Sequence, residues 1–326
     1  MNVLSVRDLT VEFRTPGGRL RALDRVSFEV GKGRILGVVG ESGCGKSTLI
    51  NAILGLLAEN GEITSGTIRM SDGRDLTKLG DAELRAIRGQ RISTVFQDPM
   101  GALNPVLSIG RQMRDIQYRL PLSRAEKDAR SVEMLRKVRI PDPESRLVQY
   151  PHEFSGGMKQ RIAIAMALMM EPELLIADEP TTALDATLEV ATIELLKELQ
   201  RDIGCAVLFI SHHLGVIAEL CDAVIVMYAG AVVERGEIGT IFHHPAHPYT
   251  ERLLECDPGR LHERVGRLPT IPGEIPDLRQ RPAGCIFAPR CHRAEPRCAE
   301  PPPDRSVGPG HVARCWLAGE TAEARA

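Results

Sequence analysis

The sequence lacks a dominant charge: 41 Lys and Arg stand against 43 Asp and Glu, for a formal net charge of −2. That balance offers no electrostatic footprint for nucleic acid or for an anionic membrane surface. No apolar run approaches the about eighteen residues of a membrane span. The start "MNVLSVRDLTVEF" alternates like a strand, without the charged beginning and apolar core of a secretory signal. No internal repeat or long heptad run is present. These absences point to a cytosolic setting, where structural disulfides are not expected. Cysteine is also sparse, eight in 326 residues, yet four of the eight gather between Cys285 and Cys315. In that setting clustered cysteines suggest a metal.

The chain is long enough for two or three small domains sharing a sizeable core. "VLSVRDLTVEF" and "RALDRVSFEV" flank the turn "TPGG" at 15–18, which reads as an antiparallel hairpin. "ILGVVG" (35–40) reads as a short buried strand, and "KSTLINAILGLL" (46–57) as a helix. From about Asp98 to Tyr150 the pattern turns helical, with Ser123 and Glu126 as a capping box before a helix to about Val138, and another helix follows Ser155. Strand "LLIAD" (174–178), a helix over 186–202 and strand "AVLFIS" (206–211) follow. Strands alternating with helices predict an α/β fold whose parallel sheet is covered on both faces. Eleven of the 22 prolines fall in 256–326, which excludes long helices and central strands there. That segment needs either disorder or an external staple.

"GESGCGKST" (40–48) has the P-loop pattern and lies between a buried strand and a helix. Gly40, Ser42, Gly43, Cys44, Gly45 and Thr48 shape a backbone that can approach phosphate, and the helix N-terminus favours its charge. Lys46 would reach the β- and γ-phosphates of ATP, and the Ser47 hydroxyl would bind Mg²⁺. "LLIADEP" (174–180) ends an apolar strand in two carboxylates. Asp178 would hold Mg²⁺, and Glu179 would polarise the attacking water. "FSGGMKQR" (154–161) puts Ser155, Gly156 and Gly157 at a second helix start. By itself that is a loop and an N-cap. Beside a P-loop it suggests a second anion device that closes over a partner's nucleotide.

The order of these motifs resembles the nucleotide-binding subunits of ABC transporters, over roughly residues 1–255. The resemblance implies a P-loop NTPase fold with a mixed sheet core, an N-terminal antiparallel β subdomain and a helical subdomain near 98–160. It assigns Gln97 in "VFQDP" to the Q-loop that joins the Mg²⁺ site to the helical subdomain. Asp185 in "TTALD" would lie at a dimer interface, and His212 in "ISHHLG" would contact the γ-phosphate as the switch histidine. Phe13 is placed like the aromatic residue that stacks on adenine. Two positions depart from the pattern. Cys44 stands where serine is common, which makes oxidation a possible block. His213 stands where aspartate is usual beside the switch histidine.

"FQDPMGALNP" (96–105), "HPYT" (247–250) and "IPGEIPDL" (271–278) are similar to the oligopeptide and dipeptide importers, a branch shared with nickel importers. "GCIFAPRC" (284–291) resembles that branch's C-terminal extension, here 256–326. The resemblance implies an ATPase that pairs with a second ABC ATPase subunit, itself or a paralogue. The dimer would drive two transmembrane permease subunits from the cytoplasmic face of the cell membrane, with residues near 98–120 receiving them. An extracytoplasmic substrate-binding protein would serve the same machine. Alternatives are a nickel or other small-solute importer ATPase, a soluble ABC ATPase outside transport, and a regulator whose tail senses metal or redox state.

Cys285, Cys291, Cys298 and Cys315 have five, six and sixteen residues between them. Four thiolates complete the ligand set of Zn²⁺ or of a [4Fe–4S] cluster. Structural zinc usually takes tighter pairs, whereas a cuboidal cluster spreads its ligands more widely. Branch members with this cysteine pattern bind [4Fe–4S], so the resemblance implies the cluster, with zinc as the alternative. Cys205 and Cys221 read as small core residues.

Overall fold

The structure, a computed structural model, describes residues 1–182, 185–257, 259 and 269–319. Ala183 and Leu184 of "TTALD", and 258, 260–268 and 320–326 of the expected extension, lie outside the described residues. The strands are β1 (Asn2–Thr15), β2 (Gly18–Gly31), β3 (Ile35–Val39), β4 (Gly61–Met70), β5 (Ile92–Val95) and β6 (Leu174–Asp178). β7 (Ala206–Ile210), β8 (Ala223–Tyr228), β9 (Ala231–Glu237), β10 (Asp304–Gly308) and β11 (His311–Arg314) complete them. Two compact units emerge: Met1 with Gly31–Arg34 and Gly80–Phe209, and Asn2–Val30 with Ile35–Leu79 and the chain from Ile210 onward.

In the Gly80–Phe209 unit the strand order is β7-β6-β5, with β5 and β6 parallel and Val95 opposite Ala177. The first four residues of β6 are buried, as a strand covered on both faces requires. The helix Arg124–Lys137 opens on the expected capping box: Ser123 Oγ accepts from the Glu126 N–H at 3.3 Å, and Glu126 Oε2 accepts from the Ser123 N–H at 2.7 Å. The helices Ile109–Ile116, Gly156–Leu168 and Ala186–Ile203 occupy the stretches read as helical or just beyond them.

In the second unit the hairpin forms as expected, in a three-stranded sheet ordered β2-β1-β4. A further run of strands has the order β10-β11-β9-β8-β3. β3 and β8 are parallel, while β8–β9, β9–β11 and β10–β11 are antiparallel, so the core sheet is mixed. The helix expected over 46–57 ends at Leu54, because Gly55 takes a left-handed conformation (φ 63°) and caps it.

The proline-rich segment departs from the expectation that only disorder or an outside staple was open to it. Pro301–Pro303 lie before β10, and β10 and β11 add to the sheet through β9, pairing Val312 with Arg235 and Ala313 with Glu234. Strands added at a sheet's edge keep clear of the ladder positions that proline would spoil. A buried polar knot holds them. Glu234, with no side-chain exposure, accepts from His311 Nε2 at 2.7 Å and from the backbone N–H groups of Ala246 and His247. The apolar contribution beneath is small: Ala313, Cys315 and Ala318, with Ala246, Val307 and Leu317 packed on them.

Candidate active site

The P-loop leaves β3 and enters the helix Lys46–Leu54. Gly40 has φ 151°, and a Cβ there would lie 2.1 Å from the Met227 carbonyl oxygen, so only glycine fits. Gly45 precedes the helix with no side-chain cap, which leaves the first amides of a nine-residue helix open to an anion. Lys46 Nζ donates to the carbonyl oxygens of Gly40 (2.7 Å) and Glu41 (3.2 Å), which hold it over the loop. Ser42, Gly43 and Ser47 are exposed, and Thr48 is half-buried. Cys44 is 1% exposed, and burial pushes its thiol up although Lys46 pulls it down. The expected oxidation sensitivity of Cys44 is therefore muted, because a buried protonated thiol is a poor nucleophile. Phe13, half-buried near the end of β1, has its ring against Gly61 of β4.

In the other unit, parallel pairing carries β5 and β6 outward together. Two residues beyond the Val95–Ala177 pair, Gln97 Nε2 donates to Glu179 Oε2 at 3.1 Å. Thr182 Oγ1 donates to the same oxygen at 3.1 Å. Glu179 has φ 47°, a left-handed backbone that costs about 1–2 kcal/mol outside glycine. Two side-chain bonds hold the carboxylate on this strained backbone. Asp178 ends β6, partly exposed. Ser155 is the N-cap of the helix Gly156–Leu168, its Oγ accepting from the Met158 N–H at 3.4 Å. Gly156 is exposed and Gly157 buried, against Leu188. Asp185 caps the helix Ala186–Ile203, its Oδ1 accepting from the Leu188 N–H at 3.0 Å. In the unit with the P-loop, His212 and His213 are both exposed, their rings 6.4 Å apart.

Two contacts to the P-loop were not foreseen from sequence. Tyr249 of "HPYT" accepts from the Glu41 N–H at its hydroxyl, 3.0 Å away. Arg290 of "GCIFAPRC" grips the Glu41 carboxylate with both terminal nitrogens, at 2.8 and 3.1 Å. The only local signals were a tyrosine and an arginine inside stretches of family-like sequence.

The family pattern described as "ABC transporter" matches residues 23–182, and "Oligopeptide/dipeptide transporter, C-terminal region" matches 233–298. A probable peptide ABC transporter ATP-binding protein of Sinorhizobium fredii is 49% identical over 320 residues, 98% of this chain and 96% of the relative. The oligopeptide transport ATP-binding protein OppD of Haemophilus influenzae is 46% identical over 319 residues, 98% of each chain. The chain belongs to the oligopeptide/dipeptide branch of the ABC transporter ATP-binding subunits. Among solved structures, a dimeric ATP-binding cassette in a post-hydrolysis state with ADP and Pi is 28% identical to this ABC ATPase. It superposes with TM-score 0.63 and covers 72% of this chain and 98% of its own. The cassette fold with its mixed sheet is thereby shared.

The cysteines of this ABC subunit divide as the sequence suggested only in part. None of the eight forms a disulfide, and Cys205 and Cys221 are buried. Among the described residues, however, no group of three or more His, Cys, Asp or Glu side chains is arranged to hold a metal ion. The expected ligation by Cys285, Cys291, Cys298 and Cys315 is thus not formed here, and zinc, which draws four ligands to one centre, gains nothing from the geometry. Burial pushes each of these thiols up, which favours the protonated form. Their charges also act on one another. Cys298 and Cys291 raise Cys285, Cys315 and Cys298 raise Cys291, and Cys285 and Cys298 raise Cys315, so every pair is within electrostatic reach. Backbone N–H groups of Arg293 and Leu317 meet the sulfurs of Cys291 and Cys315, each at 3.4 Å.

Proposed function

We propose that this ABC ATPase powers the import of di- or oligopeptides. It would dimerise with a second ATP-binding subunit and drive two permease subunits from the cytoplasmic face of the membrane. An extracytoplasmic binding protein would deliver the peptide. The observation that carries the reading is the match to peptide-transport relatives along nearly the whole chain, C-terminal region included. The division into an ATPase domain over 1–255 and an extension over 256–326 belongs to the same proposal.

In this reading Lys46 and the open amides at the helix start bind the phosphates, while Phe13 stacks on adenine. Ser47, Asp178 and Gln97 supply hydroxyl, carboxylate and amide oxygens, a donor set that suits Mg²⁺. Glu179 polarises the attacking water and His212 meets the γ-phosphate. Ser155, Gly156, Gly157 and Asp185 act across the dimer. Peripheral attachment is supported by two observations. No helix among the described residues is long and apolar enough to cross a membrane. Val106, Val148 and Tyr150 are exposed where Ile109 N–H to Gln149 O (2.9 Å) and Gly110 N–H to Leu147 O (2.8 Å) lay two loops side by side. In this reading these exposed side chains would meet the permease subunits.

A [4Fe–4S] cluster on the four clustered cysteines is the finer part of the proposal. The support is the donor set: four cysteine thiols on one segment, none of them in a disulfide, match the ligand count of such a cluster. N–H groups aimed at two sulfurs would stabilise thiolates there. The importer reading is tested by purifying the chain from its native membrane and identifying what accompanies it. Permease subunits that raise its ATPase rate when peptide and binding protein are added would support it. ATPase activity indifferent to membrane subunits but raised by DNA or ribosomes would sink it.

A further inference from the structure

We propose that Arg290, in the C-terminal segment, is a positioning residue for the ATP site, acting through Glu41 on Lys46. This rests on the ATP-binding reading above and adds a residue outside the P-loop to it.

The geometry is specific. Arg290 has five N–H donors, and every one is used. Nε donates to the Pro272 carbonyl at 3.0 Å. One terminal nitrogen donates to Glu41 Oε2 (2.8 Å) and to the Tyr228 hydroxyl (3.4 Å). The other donates to Glu41 Oε1 (3.1 Å) and to the Ile271 carbonyl (3.0 Å). Its side chain is 4% exposed. Burial pulls the guanidinium down, but Glu41 and Tyr228 more than offset this and leave it above its ordinary value. Arginine is needed here because a planar fork can hold a carboxylate with two parallel bonds while its remaining donors lock two carbonyls. Lysine offers one charge point and cannot do both.

Glu41 is the second residue of the P-loop, and three of its groups are taken. Its carboxylate is held by Arg290, its N–H by Tyr249, and its carbonyl receives Lys46 Nζ. Tyr228, Tyr249 and Phe287 pack behind the clamp with ring centroids 4.7–5.3 Å apart, so the support is rigid. The C-terminal segment thereby fixes the Glu41 peptide group, whose carbonyl is one of the two that hold the Lys46 ammonium. Preorganised donors bind a polyanion more tightly than donors that must first be ordered.

The test uses the full-length chain and fluorescent ATP titration, steady-state ATPase kinetics and thermal melts on the same preparations. Arg290→Met should weaken ATP binding and raise KM about tenfold, or about 1.4 kcal/mol, with kcat changed far less. Glu41→Gln should move KM in the same direction, and the double variant should be no worse than the poorer single one. Arg290→Lys should recover part of the loss. A lower melting temperature with unchanged KM would reduce Arg290 to a structural staple and overturn the proposal. So would additive losses in the double variant, or full recovery by lysine. If the wild-type chain itself bound no ATP, the ATPase reading would fall; wild-type binding matched by Arg290→Met would overturn this inference alone.

Discussion

Gln97 donates to Glu179 Oε2 at 3.1 Å, and Thr182 donates to the same oxygen. The bond follows from the register of two parallel strands, since both residues stand two places beyond a paired Val95 and Ala177. It holds a carboxylate on a left-handed backbone (φ 47°), the carboxylate proposed above to polarise the attacking water. Glu179→Gln should therefore cut turnover by about 10²–10⁴-fold, the range for a lost general base, while ATP still binds. Lys46→Ala should instead weaken binding. Parental ATPase rates in the Glu179 variant would remove Glu179 from the role of base.

The nucleotide motifs were legible because each is local. A buried strand, a glycine loop and a helix start announce phosphate chemistry within nine residues, and "LLIADEP" announces a strand ending in carboxylates. The capping box at Ser123 was legible for the same reason. Arg290 and Glu41 were not, because 249 residues separate them and neither position carries a periodic or charge-pattern signal. The added strands β10 and β11 were hidden by proline composition, although every proline of "PPP" falls just before the pairing begins. Their anchor is Glu234, a charged residue in a strand whose burial no local pattern announces.

Assembly gives the second prediction. Ser155 sits exposed at a helix start, capping its own chain and leaving neighbouring amides of the first turn for an outside anion. A dimer of one Lys46→Ala protomer and one Ser155→Arg protomer should keep one composite site intact and damage the other twice. Activity in that mixture, where each variant alone is dead, is the expected outcome. Full turnover from a chain that stays monomeric by light scattering would overturn the shared site.

A third prediction concerns acid. His247 is 1% exposed, and burial lowers its pKa to about 4 although Glu234 nearby acts the other way. Its Nδ1 accepts from the Tyr249 N–H at 3.0 Å, which requires the unprotonated nitrogen. The folded state thus resists a proton that the unfolded chain takes up near pH 6.5. Stability from this group is complete above about 6.5 and falls as pH drops toward about 4, a loss of about 3 kcal/mol at 1.36 per unit. His247→Gln should flatten that slope in urea melts between the two pH values. Parallel slopes for variant and parent would show that His247 stays neutral at no cost.

The last prediction concerns the four clustered thiols. They lie in the same compact unit as the P-loop, on a segment whose buried apolar residues include Cys285, Phe287, Ala313, Cys315 and Ala318. β11 and Glu234 anchor its end and Arg290 and Phe287 anchor its start, so a cluster would act mainly on the short turns between Cys291 and Cys298. Anaerobically purified chain should be brown, with about four irons and four sulfides per protein. Cys291→Ser and Cys298→Ser should each lose the colour. Those variants should melt earlier than the parent while keeping β10 and β11, read as hydrogen-exchange protection at Val312 and Ala313. A colourless preparation with one zinc would replace the cluster by a single ion, and the thiols would have to close around it. A metal-free chain with the parental melting temperature in both variants would leave four unligated thiols, two of them buried, and no metal staple.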